Sequence, residues 1–169
     1  DIAIRKSYEC YKKNKKKTFA KALQKHRNKY DVLPAEIHGL GVWDTVGALG
    51  LPDLNKNEAA YNEHLYHNML VPKNCKHAYH AVAVDEERRT FEPILLKKKP
   101  GSAVKSDEVW FPGVHSDVGG GYKDDKELSN LSLHWMAAKF KSVLNFDTSK
   151  FGDPEPLGKM HDSDKKIYS

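Results

Sequence analysis

The sequence predicts an α/β domain in which helices flank a layered sheet. Two short apolar runs, at residues 37–42 and 108–111, are too short for helices and are typical of buried strands. Segments around and between these runs space their apolar side chains three and four residues apart, as one face of a helix does. Strands separated by helices indicate an α/β architecture rather than an all-α or all-β one. At 169 residues, the chain amounts to one domain at most.

The chain opens with a segment that predicts two helices. Ile4, Tyr8 and Tyr11 lie at positions i, i+4 and i+7, which is the spacing of one apolar helix face. A second helix is expected over residues 18–29. The pattern breaks at residues 31–34, where an aspartate and a proline disfavour a further helical turn.

The same segment carries most of the excess positive charge. Nine of the 28 lysines and arginines lie between Lys12 and Lys29, where no acidic residue occurs, and the other 19 are set against 23 acidic residues. The net charge of +5 therefore has a local origin. A solvated helix face is our first interpretation, and a patch that contacts a membrane surface through lipid headgroups is the second. Because no aromatic side chains interleave the cluster Lys15–Lys17, we expect no nucleic-acid partner.

The middle of the chain alternates between strand and helix patterns. The strand at 37–42 leads into a loop with glycines and a proline at 47–52, after which residues 61–69 space their apolar side chains as a helix. Residues 77–87, in which alanine and valine alternate at 81–84, suit either a strand or a helix, and we favour a helix. Residues 97–101, three lysines followed by Pro-Gly, predict an exposed turn.

A second strand and a long helix follow. Pro112 and Gly113 end the strand at 108–111. The helix predicted over 130–144 is apolar on more than one side, which indicates burial against a sheet. We therefore divide the single domain into a helical basic segment at 1–34, a core at 35–145 and an irregular tail at 146–169.

The candidate chemistry lies where the two strands end. Asp44 follows the first strand and His115 follows the second, and a run of glycines that includes Gly119 and Gly120 comes next. Ligands of open α/β sheets bind beyond the carboxyl ends of the strands, where loops converge. A carboxylate there can fix the tautomer of an imidazole that acts as a base. Glycines beside it allow close approach and offer unblocked N–H groups to a developing anion.

Other interpretations of these residues stay open at this point. Asp44 is also suited to cap a turn, His115 to be a satisfied loop histidine, and the glycines to form a plain flexible turn. Asp85 and Asp117 compete with Asp44 for the role of acid. Ser116 is rejected as a nucleophile, because adjacent residues of an extended chain point apart. A metal-dependent hydrolase with Asp44, His115 and Asp117 as ligands is a further alternative.

We expect neither a cofactor nor a metal. His64 and His67 lie at i and i+3 but lack a third ligand at helical spacing, so a polar helix face is the favoured interpretation. Cys10 and Cys75 have no C-x-x-C partner and are expected to be free thiols. His80 is interpreted as structural, as is His38.

Four sequence blocks resemble a known family when taken in order. The third is the most specific, and the chain also matches at His161-Asp162-Ser163. The family is the uncharacterised α/β-hydrolase domain that includes the phospholipase effectors of bacterial type VI secretion and related bacterial and fungal proteins. The blocks are GVWDTVG at 41–47, HAVAVDEERRTFEP at 80–93, EVWFPGVHSDVGGGY at 108–122 and LSLHWM at 131–136.

The resemblance implies a fold, an activity and roles for single residues. It implies part of an α/β-hydrolase sheet and a serine-type ester hydrolase, of lipase or phospholipase type, in which Asp44 is the acid and His115 the general base. Asp117, Gly119, Gly120 and Asp85 are expected as supporting residues of this site.

The nucleophile implied by the resemblance is absent from these residues. The family's order is a serine in a Gly-x-Ser-x-Gly turn, then the acid, then the histidine, and the 169 residues contain no such turn. We therefore expect the serine in an N-terminal remainder of the same domain, and we expect this chain to be inactive alone. A non-catalytic interaction module of hydrolase ancestry is the alternative.

The sequence also bears on where the protein acts. It contains no run of 18 or more apolar residues and no signal peptide at its start. We expect a soluble protein that is cytoplasmic or secreted by a route other than Sec.

Overall fold

The computed structural model describes residues 28–29, 35–46, 70–88 and 91–163. The chain divides into two compact units, residues 1–36 and residues 37–169, and the sheet lies in the second. Within its described part, three parallel strands form one sheet in chain order, β1 (Ile37–Trp43), β2 (Cys75–Ala83) and β3 (Lys105–Phe111). Two helices follow, α1 (His115–Gly119) and α2 (Glu127–Phe140). Sheet and helices together are compatible with the predicted α/β class.

The register of the sheet brings the ends of all three strands to one edge. Trp43 at the end of β1 pairs with Ala81, and Ala83 at the end of β2 pairs with Phe111 at the end of β3. In parallel strands such an edge is where following loops meet and where ligands bind. The segments that carry Asp44 and His115 both leave the sheet there.

The core consists of two apolar clusters along the sheet. Ala81, Ala83, Phe111 and Val118 are buried together near the carboxyl ends of the strands, with Trp43 and Trp135 packed against them. The other cluster lies near the amino ends and comprises Val71, Cys75, Ala78 and Val104. The cluster near the carboxyl ends therefore lies next to the residues that follow the strands, where the candidate site is.

One buried hydroxyl joins α2 to both site-bearing segments. Ser132 Oγ donates to the Val118 carbonyl in α1 over 2.6 Å and accepts from Trp43 Nε1 over 3.1 Å. Close approach of α2 to β1 also requires a glycine, because a Cβ built on Gly39 would lie 2.4 Å from a ring carbon of Phe140. These contacts join α2 to β1 and to α1, the helix that begins with His115.

The helix predicted over 77–87 is wrong, since these residues belong largely to β2. β2 is the central strand, and the last four of its residues, 80–83, are all buried, so both faces are covered. Such strands lack the alternation of polar and apolar residues that marks a half-exposed strand. The alanines, which favour helices, therefore led to the prediction of a helix. Hydrogen bonding to a neighbouring strand on each side makes the segment a strand instead.

The other predicted elements are found with shifted ends. β1 and β3 match the two predicted strands, although β3 begins earlier with exposed polar residues that carry no apolar signal. α2 begins and ends a few residues before the predicted helix, and the N–H of its first residue, Glu127, is bonded by Asp125 Oδ1 at 3.0 Å. A turn at Pro100–Gly101 agrees with the predicted exposed turn. From 146 to 163 the chain is irregular except for a short 3₁₀ turn at Thr148–Lys150.

Several expectations lie outside the described residues. These are the helices and the basic patch of the first 27 residues, the loop at 47–50 with its continuation, the helix at 61–69, the pair His64 and His67, and Cys10. Cys75 is described and is a buried free thiol whose Sγ lies 2.9 Å from the His77 carbonyl oxygen. In the parts of the chain that the structure describes, no helix has both the length and the apolar character needed to cross a membrane.

Candidate active site

Asp44 is held rigidly at the point where β1 ends. Its backbone N–H donates to the Ala81 carbonyl over 2.7 Å, and its Oδ1 accepts the Ala83 N–H over 2.8 Å. The residue is 1% exposed, with a φ of +37°. A non-glycine residue in this left-handed region costs about 1–3 kcal/mol and persists where the surroundings enforce it. The strain and both bonds turn the second carboxylate oxygen toward His115.

The imidazole of His115 meets that second oxygen. Its Nδ1 lies 2.7 Å from Asp44 Oδ2, a short hydrogen bond between two residues that are 71 positions apart in the chain. Since a carboxylate only accepts hydrogen bonds, Nδ1 carries the proton in this pair. The side chain of His115 is 29% exposed, and its Nε2 has no hydrogen-bond partner among residues 35–46, 70–88 and 91–163. An oriented imidazole with an available Nε2 is the arrangement of a general base.

His80 supports the turn that contains Asp44. The ring is fully buried, and its Nε2 accepts the backbone N–H of Thr45 over 3.1 Å. Its Nδ1 is therefore the donor in the 2.9 Å bond to Glu108 Oε2. Thr45 Oγ also donates to the Ile94 carbonyl over 3.1 Å. Both ring nitrogens of His80 are thus used within the fold, as the structural interpretation of this residue expects.

The turn between β3 and His115 is shaped by Gly113 and two aspartates. Gly113 has a φ of +102°, and a Cβ placed on it would lie 2.5 Å from Asp117 Cβ. Asp85 Oδ2 accepts the Gly113 N–H over 2.7 Å. Asp117 Oδ2 accepts the Val114 N–H over 3.1 Å. Both carboxylates are bonded to the main chain just before His115, and neither occupies the position at the imidazole that Asp44 fills.

A third carboxylate, Glu86, binds the backbone of His115 itself. Its Oε2 accepts the His115 N–H over 3.1 Å, and its two oxygens pair with Nε and Nη2 of Arg88 at 2.8 and 2.9 Å. Burial acts to raise the pKa of Glu86, but the bonds from the Arg88 side chain and backbone and from the His115 N–H outweigh it, so that the pKa lies below its ordinary value. The Arg88 guanidinium lies 3.7 Å above the Phe91 ring, which packs edge-on against His115.

The lowered pKa of Glu86 predicts that part of the free energy of unfolding depends on pH. A carboxyl group with a depressed pKa in the folded state stabilises that state above its unfolded pKa, near 4.5, and the stabilisation is lost as the pH falls through the folded pKa. We expect Glu86→Gln to lower the free energy of unfolding by about 1–3 kcal/mol at pH 7, the scale of hydrogen bonds to charged groups. Urea denaturation at pH 7 and at pH 3 measures the difference, which should shrink at the lower pH.

Glu87→Gln is the matched control for this prediction. Glu87 is the exposed neighbour of Glu86, so its substitution should change the unfolding free energy by less than about 0.5 kcal/mol. A Glu86→Gln effect that stays constant from pH 7 to pH 3 would contradict the assigned role of the carboxylate.

Asp117 makes its strongest contacts away from the Asp44–His115 pair. Its Oδ1 lies 2.6 Å from His161 Nδ1, and its Oδ2 accepts the His161 N–H over 3.0 Å. Nearby, burial and the negative charge of Asp117 raise the pKa of the Tyr122 hydroxyl. Within the described ranges no three His, Cys, Asp or Glu side chains are grouped to hold a metal. Asp117 therefore does not join Asp44 and His115 as a third ligand there.

The glycines that follow His115 lie at the surface. Gly119 ends α1, and a Cβ built on it would lie 4.0 Å from Trp43 Cβ, which places it beside the residue that precedes Asp44. Gly120 has a φ of +76° and faces open space. The glycine run therefore borders the strand-end edge of the sheet.

Sequence reasoning did not assign a role to Glu86, His161 or Ser132. Glu86 lies in a run of charged residues, and such a run normally belongs to a solvated surface. Ser132 gives no signal beyond being a polar residue on an apolar helix. His161 had one signal, its place in the matching His-Asp-Ser sequence near the end of the chain.

The chain matches one family over most of its length. The family is described as T6SS, Phospholipase effector Tle1-like, catalytic domain, and the match covers residues 3–139. This range contains Asp44, His115 and Asp117, whereas His161 lies beyond it.

Two relatives match shorter parts of the chain. An uncharacterised protein of Saccharomyces cerevisiae is 46% identical over 79 residues, which make up 44% of this chain and 9% of that protein. A crystal structure of an uncharacterised protein from Pseudomonas aeruginosa is 27% identical, with a TM-score of 0.46, over 64% of this chain and 18% of that chain. The chain thus spans less than a fifth of the length of either relative.

Proposed function

The chain belongs to the Tle1-like family of type VI secretion phospholipase effectors, within their catalytic domain, and from this premise we propose that it supplies the acid and the general base of a serine-type ester hydrolase. The observation that carries the proposal is the 2.7 Å bond between Asp44 and His115 Nδ1. A buried carboxylate that holds one imidazole nitrogen and leaves the other accessible is suited to proton transfer.

The proposed reaction is acyl transfer in two steps. His115 Nε2 takes the proton of a serine hydroxyl as the serine oxygen bonds to the ester carbonyl carbon. The same proton then passes to the leaving alkoxide as the ester C–O bond breaks, which leaves an acyl-enzyme and a free alcohol. A water molecule then bonds to the acyl carbon as His115 takes one of its protons. That proton passes to the serine oxygen as the acyl–serine C–O bond breaks, which releases the carboxylic acid and restores the serine. Asp44 stabilises the imidazolium in each step and remains ionised.

The serine in this proposal comes from a segment other than the 169 residues. Chain order in α/β-hydrolases is serine, acid, histidine, and Asp44 precedes His115 here. We propose that the nucleophile precedes Asp44, in an N-terminal part of the same α/β-hydrolase domain. Asp85 and Asp117 then support the reaction by holding the turn before His115, and N–H groups near Gly119 and Gly120 are candidates to help stabilise the oxyanion.

Phospholipid is the proposed substrate class, because the family consists of phospholipase effectors. The basic stretch from Lys12 to Lys29, with nine cations and no acidic residue, is suited to approach an anionic membrane surface. Such an enzyme would act as a secreted effector.

The proposal is tested on the protein that carries this chain together with the segment preceding Asp1. We expect that protein to be labelled by a fluorophosphonate, which modifies activated serines, and to release fatty acid from phospholipid vesicles that contain an anionic lipid. The chain of 169 residues alone is the matched control and should do neither. Labelling without release of fatty acid would overturn the phospholipid substrate, and absence of labelling would overturn the serine mechanism.

A further inference from the structure

A second histidine, His161, lies between two carboxylates close to the proposed base. Its Nδ1 is 2.6 Å from Asp117 Oδ1 and its Nε2 is 3.3 Å from Asp124 Oδ2. Since a carboxylate only accepts hydrogen bonds, Nδ1 donates in the shorter of these two contacts, the one to Asp117. The Tyr122 ring stacks on it with centroids 3.7 Å apart.

His161 is not a second general base. Its side chain is 2% exposed, one face is covered by Tyr122, and neither ring nitrogen is left to accept a proton from a substrate. His161 can therefore affect the reaction only through the groups that it contacts.

Two carboxylates connect the segment 161–163 to the turn that carries His115. Two consecutive backbone N–H groups, of Val114 and His115, are each bonded by a carboxylate, the first by Asp117 and the second by Glu86. Residues of the segment 161–163 donate hydrogen bonds to both of these carboxylates. His161 donates its ring N–H and its backbone N–H to Asp117, and Ser163 Oγ donates to Glu86 Oε1 over 3.3 Å.

We propose that His161 is a positioning residue for His115. With Ser163 it forms a two-point clamp, the 161–163 clamp, which fixes the two carboxylates and thereby the backbone at Val114–His115. The imidazole of His115 is then held in line with Asp44. The kinetic consequence rests on the proposed function, whereas the effect on the geometry of His115 does not.

The burial of Asp117 explains why a donor is needed at position 161. Asp117 is 3% exposed and is bonded to three donors, two of which belong to His161. Without the His161 ring, a buried carboxylate oxygen would lose its hydrogen-bond donor, which is costly for a buried polar group. An asparagine at position 161 places an amide nitrogen near the position of Nδ1, so it is the conservative variant that keeps the bond to Asp117 without the ring.

The test uses the chain itself and a spectroscopic signature of His115. Two-bond ¹H–¹⁵N correlation spectra report which ring nitrogen of each histidine carries the proton. We expect His115 to carry it on Nδ1 in the natural chain. His161→Ala should shift His115 toward the mixture of tautomers seen in free histidine, and His161→Asn should restore most of the Nδ1–H form.

A control substitution removes another contact of the same C-terminal segment. His134 Nε2 lies 3.0 Å from the Gly152 carbonyl oxygen, and the ring packs against Phe151. His134→Ala should loosen this segment without contacting Asp117 or Glu86, and the His115 signature should stay unchanged. An unchanged His115 tautomer in a folded His161→Ala chain would overturn the proposal.

If His161→Ala does not fold, Ser163→Ala tests the two-point clamp instead. It removes only the bond to Glu86, so a partial loss of the Nδ1–H form of His115 is expected. No loss in Ser163→Ala, or the same loss in His134→Ala, would overturn the two-point clamp.

The kinetic arm uses the protein that also contains the nucleophile. His161→Ala should lower kcat by about 10- to 100-fold with KM within about twofold, because misplacement of a catalytic group by about 1 Å costs on the order of 100-fold. His161→Asn should recover part of the loss. If that protein cleaves no ester at all, the proposed function fails while the spectra still decide the clamp. A changed tautomer with unchanged kcat would overturn the positioning role.

Discussion

Asp44→Asn is expected to lower kcat of the complete enzyme by about 10⁴-fold, the scale found where a triad aspartate becomes an amide. The direction of the amide follows from the structure. Oδ1 of residue 44 must accept the Ala83 N–H, so the amide NH₂ takes the place of Oδ2 and faces His115 Nδ1. An NH₂ group can only donate, so Nδ1 must lose its proton and Nε2 must carry one. His115 would then present a donor where the reaction needs an acceptor.

Two measurements check this expectation. Steady-state ester hydrolysis gives the loss of kcat, and ¹H–¹⁵N correlation spectra of the 169-residue chain should show the His115 proton moved from Nδ1 to Nε2. His115→Ala should cost at least about 10⁴-fold, and the double variant should lose little more, because residues that act as one unit are strongly non-additive.

Asp85→Asn is the matched control. Asp85 is also a carboxylate beyond the end of a strand, but its Oδ2 accepts the Gly113 N–H, and the carbonyl oxygen of an asparagine can accept that bond equally. We expect kcat to change by less than about tenfold. A loss in Asp85→Asn that equals the loss in Asp44→Asn would remove the reason for assigning the acid to Asp44.

The positions of Asp44 and His115 at one edge of the sheet were predictable because strand ends are visible in the sequence. Asp44 and His115 each follow a compact apolar run and precede small residues, and parallel strands bring such ends to one edge. The 2.7 Å separation of their side chains was not predictable. It depends on the positive φ of Asp44, on the bond to the Ala83 N–H and on the turn at Gly113, all of which are decided by tertiary contacts.

The parts that sequence reasoning missed share a physical cause. β2 was predicted as a helix because its pattern is set by neighbouring strands on both sides rather than by local propensity. Glu86 and His161 lie in polar segments that locally resemble solvated surface. Their burial depends on partners 29 and 44 positions away, and no local pattern encodes a partner at such a distance.

Asp117→Ala is expected to produce the largest loss of stability, about 3–5 kcal/mol, because three buried donors lose their acceptor and each such loss costs about 1–3 kcal/mol. The substitution leaves the ring N–H of His161 without the acceptor that lies 2.6 Å away. It also leaves the N–H groups of Val114 and His161 without their acceptor. Urea denaturation of the chain at pH 7 measures the change.

The same imidazole provides the control for this prediction, because a second and more exposed carboxylate contacts it. Asp124 lies 3.3 Å from His161 Nε2, and its side chain is 50% exposed. Asp124→Ala should cost less than about 1 kcal/mol, as exposed pairs usually do. Equal losses in the two variants would mean that the burial and the backbone bonds of Asp117 contribute nothing. A much larger loss in Asp117→Ala, as we expect, would mean that they stabilise the turn that carries His115.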